Sequence, residues 1–343
     1  MTPRKTSLSA IAIAPPMADV AEVAAQVQAE FGLAGDYVSL VSERDQNFRL
    51  TTRDRCRYVV KVTSSLEESA VTDFQIEALL HLEREQSLPL PRVVRTINGE
   101  SSASIEVGGT ACRLRVVEFV EGQPLAELDV TPVIVGRLGS ALAALDRALE
   151  GFSHPGQNPL LLWDMQRTSE VRYLLEFIED DMLRERVETV IDDFDARIAP
   201  GMGELRTQVI HSDANPGNVL LCESGIGFID FGDMVRAPLV FDVAIAAAYL
   251  RAGDPLELIV PFVEAYHEAL PLQKRELQLL FDLVRARLAT SIALFHWRLR
   301  ERDPDDEYRN KLLATERTPD VFLAALDELG RERFLAAFDQ LLS

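Results

Sequence analysis

The sequence predicts an α+β protein in two lobes, a small antiparallel sheet followed by a larger helical lobe. Three observations carry that reading. Segments with β-type alternation are concentrated in the first 120 or so residues. Helical periodicity dominates after residue 124. A chain of 343 residues, 47% apolar and 26% charged, is long for one ordinary core and comfortable for two.

The elements follow in order. Residues 1–17 read as a loose leader, closed by Pro15-Pro16. Ala18 to Phe31 carries Val20, Val23, Ala24, Val27 and Phe31 at helical spacing, and Gly32 stops it. Tyr37–Val41, Phe48–Thr51 and Tyr58–Val62 alternate as strands of a meander. A long helix is expected over Leu66–Glu85. Two more strands, Ser104–Val107 and Cys112–Val120, turn at Gly108-Gly109. Glu121-Gly122-Gln123-Pro124 breaks the pattern and reads as the linker, which sets the lobes at 1–120 and 121–343. Helices are then expected near 131–150, 165–198, 239–251, 255–269, 271–300 and 319–341. The exception is 208–231, where short apolar runs flank polar loops.

Composition narrows the function. A formal net charge of −20 and no basic stripe argue against nucleic acid as a partner, because phosphate backbones need a basic face. The same charge would draw a cationic substrate. Cys56, Cys112 and Cys222 form no C-x-x-C pair, so neither a zinc site nor a disulfide framework is suggested. No stretch approaches the ~18 apolar residues of a spanning helix. A soluble protein of the reducing cytoplasm, with no membrane partner, is the expectation.

The most informative stretch runs from Val209 to Leu221 and contains His211-x-Asp213-x-x-x-x-Asn218; Asp230-Phe231-Gly232 follows. Phosphoryl transfer needs one carboxylate to accept or orient a hydroxyl proton, and oxygen ligands to hold magnesium against phosphates. Any one of these residues alone could cap a turn. Together they fit a hairpin, Val219–Leu221 with Phe228–Ile229, that places Asn218 and Asp230 at one end, with Asp213 on the loop before it. Asp213 is the candidate base, Asn218 and Asp230 the candidate magnesium ligands, and His211 a structural residue that shapes the loop.

Lys61 is independent support. It is one of four lysines and alone falls inside an apolar strand, Tyr58-Val59-Val60-Lys61-Val62. A charge there needs anionic partners, and a nucleotide's phosphates supply them. Val59 faces the same side and would cover the base. Among Glu67, Glu68, Asp73 and Glu77, the helix carboxylate expected to orient Lys61 is Glu77, because Phe74, Ala78 and His81 share its face.

Together these residues resemble the aminoglycoside phosphotransferase and choline kinase family, the small-molecule branch of the protein-kinase-like fold. The resemblance covers about residues 20–300, and Ser42–Phe48 and the run from Ile229 to Tyr249 look most like hydroxylysine kinases. It implies a nucleotide-binding β lobe over 1–120 and a catalytic, substrate-binding helical lobe over 121–343. It implies ATP or GTP as co-substrate with magnesium, Asp242 bracing the catalytic loop, and Glu118 to Val120 meeting the nucleobase. The loop Ser42–Phe48 departs from the protein-kinase pattern in having no glycine; Ser42, Asn47 or Arg44 would substitute with side chains.

The acceptor this implies is a small amine-bearing alcohol: hydroxylysine or a related amino alcohol, with homoserine or an aminoglycoside as alternatives. A catalytically silent binding module is the non-enzyme alternative, and the filled catalytic positions argue against it. Asp233, Asp164 or Asp181 would hold an ammonium, and Trp163, Tyr249 and Trp297 would add cation–π contacts. Arg287 and Arg298 lie in an apolar helix, where a substrate carboxylate could use them.

Overall fold

The computed structural model describes residues 15–301, 303–305, 309, 310, 313 and 319–341. Most of the expected leader, residues 1–14, lies outside the described residues. The chain divides into two compact units. One runs to Glu121 and also takes in His154–Pro159; the other comprises Gly122–Ser153 and Leu160 onward.

In the first unit, α1 (Val20–Phe31) starts at Asp19, whose side chain accepts from the N–H of Ala21 and Glu22, and ends at left-handed Gly32. Five strands follow: β1 (Gly35–Leu40), β2 (Gln46–Thr52), β3 (Arg57–Thr63), β4 (Ala103–Val107) and β5 (Thr110–Glu118). They form one antiparallel sheet in the order β1-β2-β3-β5-β4. Gly108 and Gly109 both have positive φ, which the tight β4–β5 turn requires. One face of the sheet packs Phe48, Leu50, Val60, Val62, Leu114 and Val116 with Val23, Val27 and Phe31 of α1. Strand alternation turns Val59, Lys61 and Thr63 to the other face. Helix α2 (Ser69–Leu82) follows β3, and its Gln75 accepts a hydrogen bond from Arg115 of β5.

The second unit is mostly helical. Helix α3 (Pro132–Ala148) is capped by Thr131 with proline in its first turn. It lies close to α6 (Pro255–Ala269): a Cβ on Gly139 would stand 2.2 Å from the Phe262 carbonyl oxygen, so only glycine permits this approach. Strand β8 (Val219–Cys222) pairs on one side with β9 (Gly225–Phe228) and on the other with the two-residue β6 (Gln123–Pro124). Strand β7 (Thr207–Ile210) pairs with β10 (Val235–Pro238). Helix α5 (Val240–Ala247) is buried at every residue. Helices α7 (Lys274–Glu301), α8 (Pro319–Leu329) and α9 (Arg331–Ala336) complete the unit. Among the described residues no helix is long and apolar enough to cross a membrane.

Two expected helices are divided. The stretch 165–198 is a run of 3-10 turns (Met165–Phe177) and then α4 (Asp181–Arg197). The break falls where Asp180 takes an extended backbone and accepts from the Leu183 N–H, starting a new helix. The stretch 319–341 divides at Gly330, whose φ of 76° ends α8. Strands β6 and β10 add to the expected elements; their short segments carry little alternation, and pairing with β8 and β7 defines them.

A buried acid cluster lies within the second unit. The Tyr266 hydroxyl donates to Asp146 Oδ2 at 2.6 Å. Burial, then the negative charge of Asp242, holds the Asp146 carboxyl well above the usual carboxylate range. A carboxyl so raised keeps its proton past the pH at which an ordinary aspartate loses it. The folded state therefore holds an extra proton, and stability contributed at low pH is lost as pH rises above the ordinary value of about 4. Asp146→Asn, which mimics the protonated acid, should melt at least as high as the native chain at pH 8 and flatten the decline between pH 5 and 8. Asp146→Ala should melt lower at both, because the Tyr266 hydroxyl loses its acceptor; thermal melts across this range check both.

Candidate active site

The site in the second unit begins where β7 ends. The backbone N–H of His211 donates to Asp242 Oδ2 at 2.9 Å, and that of Ser212 to Oδ1 at 2.7 Å. One buried carboxylate at the start of α5 thus takes both donors of the turn. Ser212 adopts φ 64° there, a left-handed conformation that costs a serine roughly 1–2 kcal/mol. His211 is fully buried. Its Nε2 meets the Ile229 carbonyl oxygen at 3.1 Å, and its Nδ1 accepts from the Asp213 N–H at 3.3 Å. Those partners suit a ring that carries a proton on Nε2. The ring stands edge-on to Phe231 at 4.8 Å. His211 therefore ties the loop to the residue just before Asp230.

Asp213 is held by its neighbours. Asn215 Nδ2 donates to Oδ2 at 2.9 Å, and Asn218 Nδ2 to the same oxygen at 2.6 Å. Asn218 Nδ2 also reaches the Asp213 carbonyl at 3.1 Å. Oδ1 lies 3.6 Å from Arg287 Nη2 of α7, and the Asp213 side chain is 18% exposed. Burial first, and then the charge of Asp233, push the Asp213 carboxyl up to about 8, while Arg287 and the Asn215 amide act to lower it.

The β8–β9 register, Val219 opposite Phe228, brings Asn218 and Asp230 to one end of the hairpin, and the Ile229 N–H donates to the Asn218 carbonyl at 2.9 Å. Asp230 is exposed and left-handed, with φ 60° and ψ 73°, a conformation aspartate tolerates. Asp233, half-buried in the next 3-10 turn, adds negative charge beside Asp213.

The arginine expected to serve a substrate carboxylate sits within this assembly. Arg287 Nη1 donates to the Trp163 carbonyl at 3.1 Å and Nη2 to the Tyr249 hydroxyl at 3.4 Å. The aromatic faces expected to meet a substrate ammonium carry the protein's own cations: Arg298 lies over Trp163, and Arg251 and Arg287 over Tyr249. Trp297 is buried on α7. Asp164 accepts from the backbone and side chain of Gln166, and Asp181 pairs at the exposed start of α4 with Arg184, so local partners occupy both.

In the first unit, Lys61 of β3 stands in register with Asn47 of β2 and Arg115 of β5, all on the face opposite α1. Val59 shares that face. The buried Asn47 Oδ1 has no hydrogen-bond partner among the described residues. Ser42 lies in the β1–β2 loop. The N–H groups of Glu118 and Phe119 are used by the Arg92 and Arg57 carbonyls, and Val120 follows them. Glu77 is a correction. Phe74, Gln75, Ala78 and Leu82 bury the inner face of α2, and Glu77 stands exposed beyond its edge, 200° around the helix from Gln75 by the ~100° step per residue. Among the described residues it makes no ion pair; the α2 side chains that meet the sheet are Gln75, on Arg115, and Asp73, on Arg113.

A model described as the phosphotransferase enzyme family matches residues 38–280. The chain belongs to that family. It is 27% identical over 351 aligned positions to the hydroxylysine kinase of Mus musculus, covering 94% of this chain and 92% of that one. To the hydroxylysine kinase of Xenopus laevis it is 26% identical over 322 positions, 85% of each chain. Among solved structures it resembles an amicoumacin kinase in complex with AMP-PNP, Ca2+ and Ami, with TM-score 0.68 and 16% identity over 91% of this chain and 94% of that one. The fold is the α+β, protein-kinase-like fold, and the protein is a kinase.

The kinase's donor set suits a metal that arrives with phosphate. No group of three His, Cys, Asp or Glu among the described residues could hold a metal by itself. Asn218 and Asp230 offer two hard oxygen donors at one hairpin end, and magnesium completes such partial sets with phosphate oxygens and water. The residue that sequence reasoning missed is Arg115, on a strand recognised only for its apolar alternation. Its signal is Cys112-Arg113-Leu114-Arg115-Val116, a strand whose two arginines share the face opposite its apolar residues, and alternation could have found it.

Asp242→Ala should lower folding stability by roughly 3 kcal/mol, since two buried N–H donors lose a charged acceptor. It should also abolish turnover by releasing the loop. Ser212→Gly should be at least as stable as the native chain, because glycine adopts positive φ freely. Denaturant titration of both variants checks the pair.

Proposed function

We propose that this kinase transfers the terminal phosphoryl group of ATP or GTP to the hydroxyl of a small hydroxy amino acid, with 5-hydroxylysine as the first candidate. The observation that carries this is the Asp213 carboxylate. Its Oδ2 is saturated by two amide donors while Oδ1 faces Arg287. Oδ1 is then the atom that accepts the substrate's hydroxyl proton. As that proton moves, the hydroxyl oxygen bonds to the terminal phosphorus. The bond from phosphorus to the bridging oxygen breaks, and the nucleoside diphosphate leaves with the electron pair. Arg287 offsets the burial and the Asp233 charge that favour protonated Asp213.

Magnesium fits Asp230 and Asn218. Because Asn218 donates through Nδ2 to Asp213, its Oδ1 is the atom left for a cation. When bound, the ion would neutralise the phosphate oxygens. Lys61 would meet the phosphates, Val59 would lie against the base, and Ser42 and Asn47 would supply the polar contacts of the glycine-free loop. Glu118 and Val120 would border the base, with Val120 and the strand-end carbonyls as its backbone partners. A relative's complex with AMP-PNP and Ca2+ supports a nucleotide with a divalent cation.

The acceptor reading rests on the hydroxylysine kinases among the relatives and on the charge distribution. Asp233 suits an ammonium, and Arg287, with Trp297 on the same helix, suits a carboxylate. The formal charge of −20 favours capture of a substrate carrying net positive charge.

Asp213→Asn should lower kcat by about two to four orders of magnitude while nucleotide affinity stays within a fewfold range. Near-native turnover would remove Asp213 from the role. Asp230→Ala should abolish metal-dependent turnover, and Asn218→Ala should raise the metal concentration needed, as read by magnesium titration. A panel of 5-hydroxylysine, homoserine, ethanolamine, choline and kanamycin should show its highest kcat/KM with 5-hydroxylysine; preference for choline or ethanolamine would reject the carboxylate-bearing acceptor.

A further inference from the structure

The β1–β2 loop of the first unit, Val41-Ser42-Glu43-Arg44-Asp45, has no glycine. Its backbone therefore cannot fold closely round phosphate as a glycine-rich loop does. Something else must hold it.

Arg115 does so in the structure. It lies on β5 directly opposite Lys61 of β3. Two like charges facing each other across strands repel, and Arg115 is only 6% exposed. Such a cation persists where its charge is balanced; Nε is buried without a hydrogen-bond partner among the described residues, and the two terminal nitrogens carry the contacts. Nη1 donates to Gln75 Oε1 of α2 at 2.8 Å. Nη2 donates to Thr63 Oγ1 at 2.9 Å and to Asp45 Oδ2 at 3.2 Å. Asp45, its side chain 14% exposed, is the carboxylate that pairs with it among the described residues. One guanidinium thus joins the end of β3, the inner face of α2 and the tip of the β1–β2 loop. The preceding loop residue is tied as well: Arg44 lies 4.0 Å from Glu67, in the connection between β3 and α2.

We propose that Arg115 is a positioning residue for the nucleotide's phosphates, fixing through Asp45 the loop that carries Ser42 and leads into Asn47, beside the strand that carries Lys61. In this chain Gln75 and Arg115 form the buried polar link between α2 and the sheet, beside the more exposed Asp73–Arg113 pair, and Glu77 points to solvent. The charge of Arg115 is spent on Asp45, so its effect on phosphate is indirect and acts through the loop. The proposal rests on the reading that the first unit binds the nucleotide.

The test uses the full-length chain with MgATP and MgGTP. Asp45→Asn removes the counter-charge, and the double variant Arg115→Gln/Asp45→Asn removes both charges, leaving no unbalanced buried cation should the single variant fold poorly. In each, the KM for nucleoside triphosphate should rise about tenfold with kcat within threefold, and the double variant should be no worse than the single. Inhibition by the free nucleoside, which has no phosphates to position, should be unchanged. Amides of Glu43–Gln46 should exchange hydrogen faster. Unchanged triphosphate KM in the double variant, or equal losses for triphosphate and nucleoside, overturns the positioning role while leaving nucleotide binding in place. Failure of the native chain to bind either nucleotide overturns the underlying reading, and the proposal with it.

Discussion

The carboxylate of Asp242 carries the loop on which the candidate site is built. Its two oxygens take the consecutive N–H groups of His211 and Ser212, which leave β7 in a turn that no strand could pair. A buried anion with two backbone donors can hold a serine at positive φ against its own preference. With that turn fixed, the His211 ring reaches both the Asp213 N–H and the Ile229 carbonyl. Asp213, Asn218 and Asp230 are then placed by backbone that cannot drift. Near it, burial and the Asp242 charge hold the Asp146 carboxyl well above the usual carboxylate range, which limits the negative charge gathered beside Asp242.

Charge is arranged with similar economy around the Asp213 carboxylate. Asp213, Asp230 and Asp233 gather negative charge in one place, which suits a site built to receive a cation and raises the Asp213 carboxyl in the protein alone. Arg287 opposes that tendency from α7. Its guanidinium is oriented by the Trp163 carbonyl and the Tyr249 hydroxyl, so its position depends on three separate segments. A lysine in its place would offer a point charge without the planar fork that meets all three.

In the first unit the same physics acts on a loop. A sheet face with Lys61 and Arg115 side by side would be unfavourable without anions near it. Asp45 supplies one from within the chain, and Arg115 is thereby buried while Lys61 remains half-buried. A family with glycine at this loop can shape it by backbone freedom; here ion pairs do so.

The sequence by itself determined the order of elements and the make-up of the loop from His211 to Asn218, because both are local. Alternation at Tyr58–Val62 and periodicity at Val23, Val27 and Phe31 describe faces that must be buried wherever the chain goes. The spacing of His211, Asp213 and Asn218, with Asp230 after a two-strand return, is one loop and one hairpin, so its geometry is contained in fewer than twenty-five residues. Only the tertiary structure decided what depends on partners far along the chain. Glu77 shares a helix with buried Phe74 and Ala78, yet which side of that stripe meets the sheet is set by packing, and the sheet met Gln75. Arg115 looked like one more strand residue until Asp45, Thr63 and Gln75 converged on it. Trp163 and Tyr249 had open aromatic faces in the sequence; in the fold Arg298, Arg251 and Arg287 lie on them. A side chain's type is written locally, but its partner is chosen by which surfaces the core brings into contact.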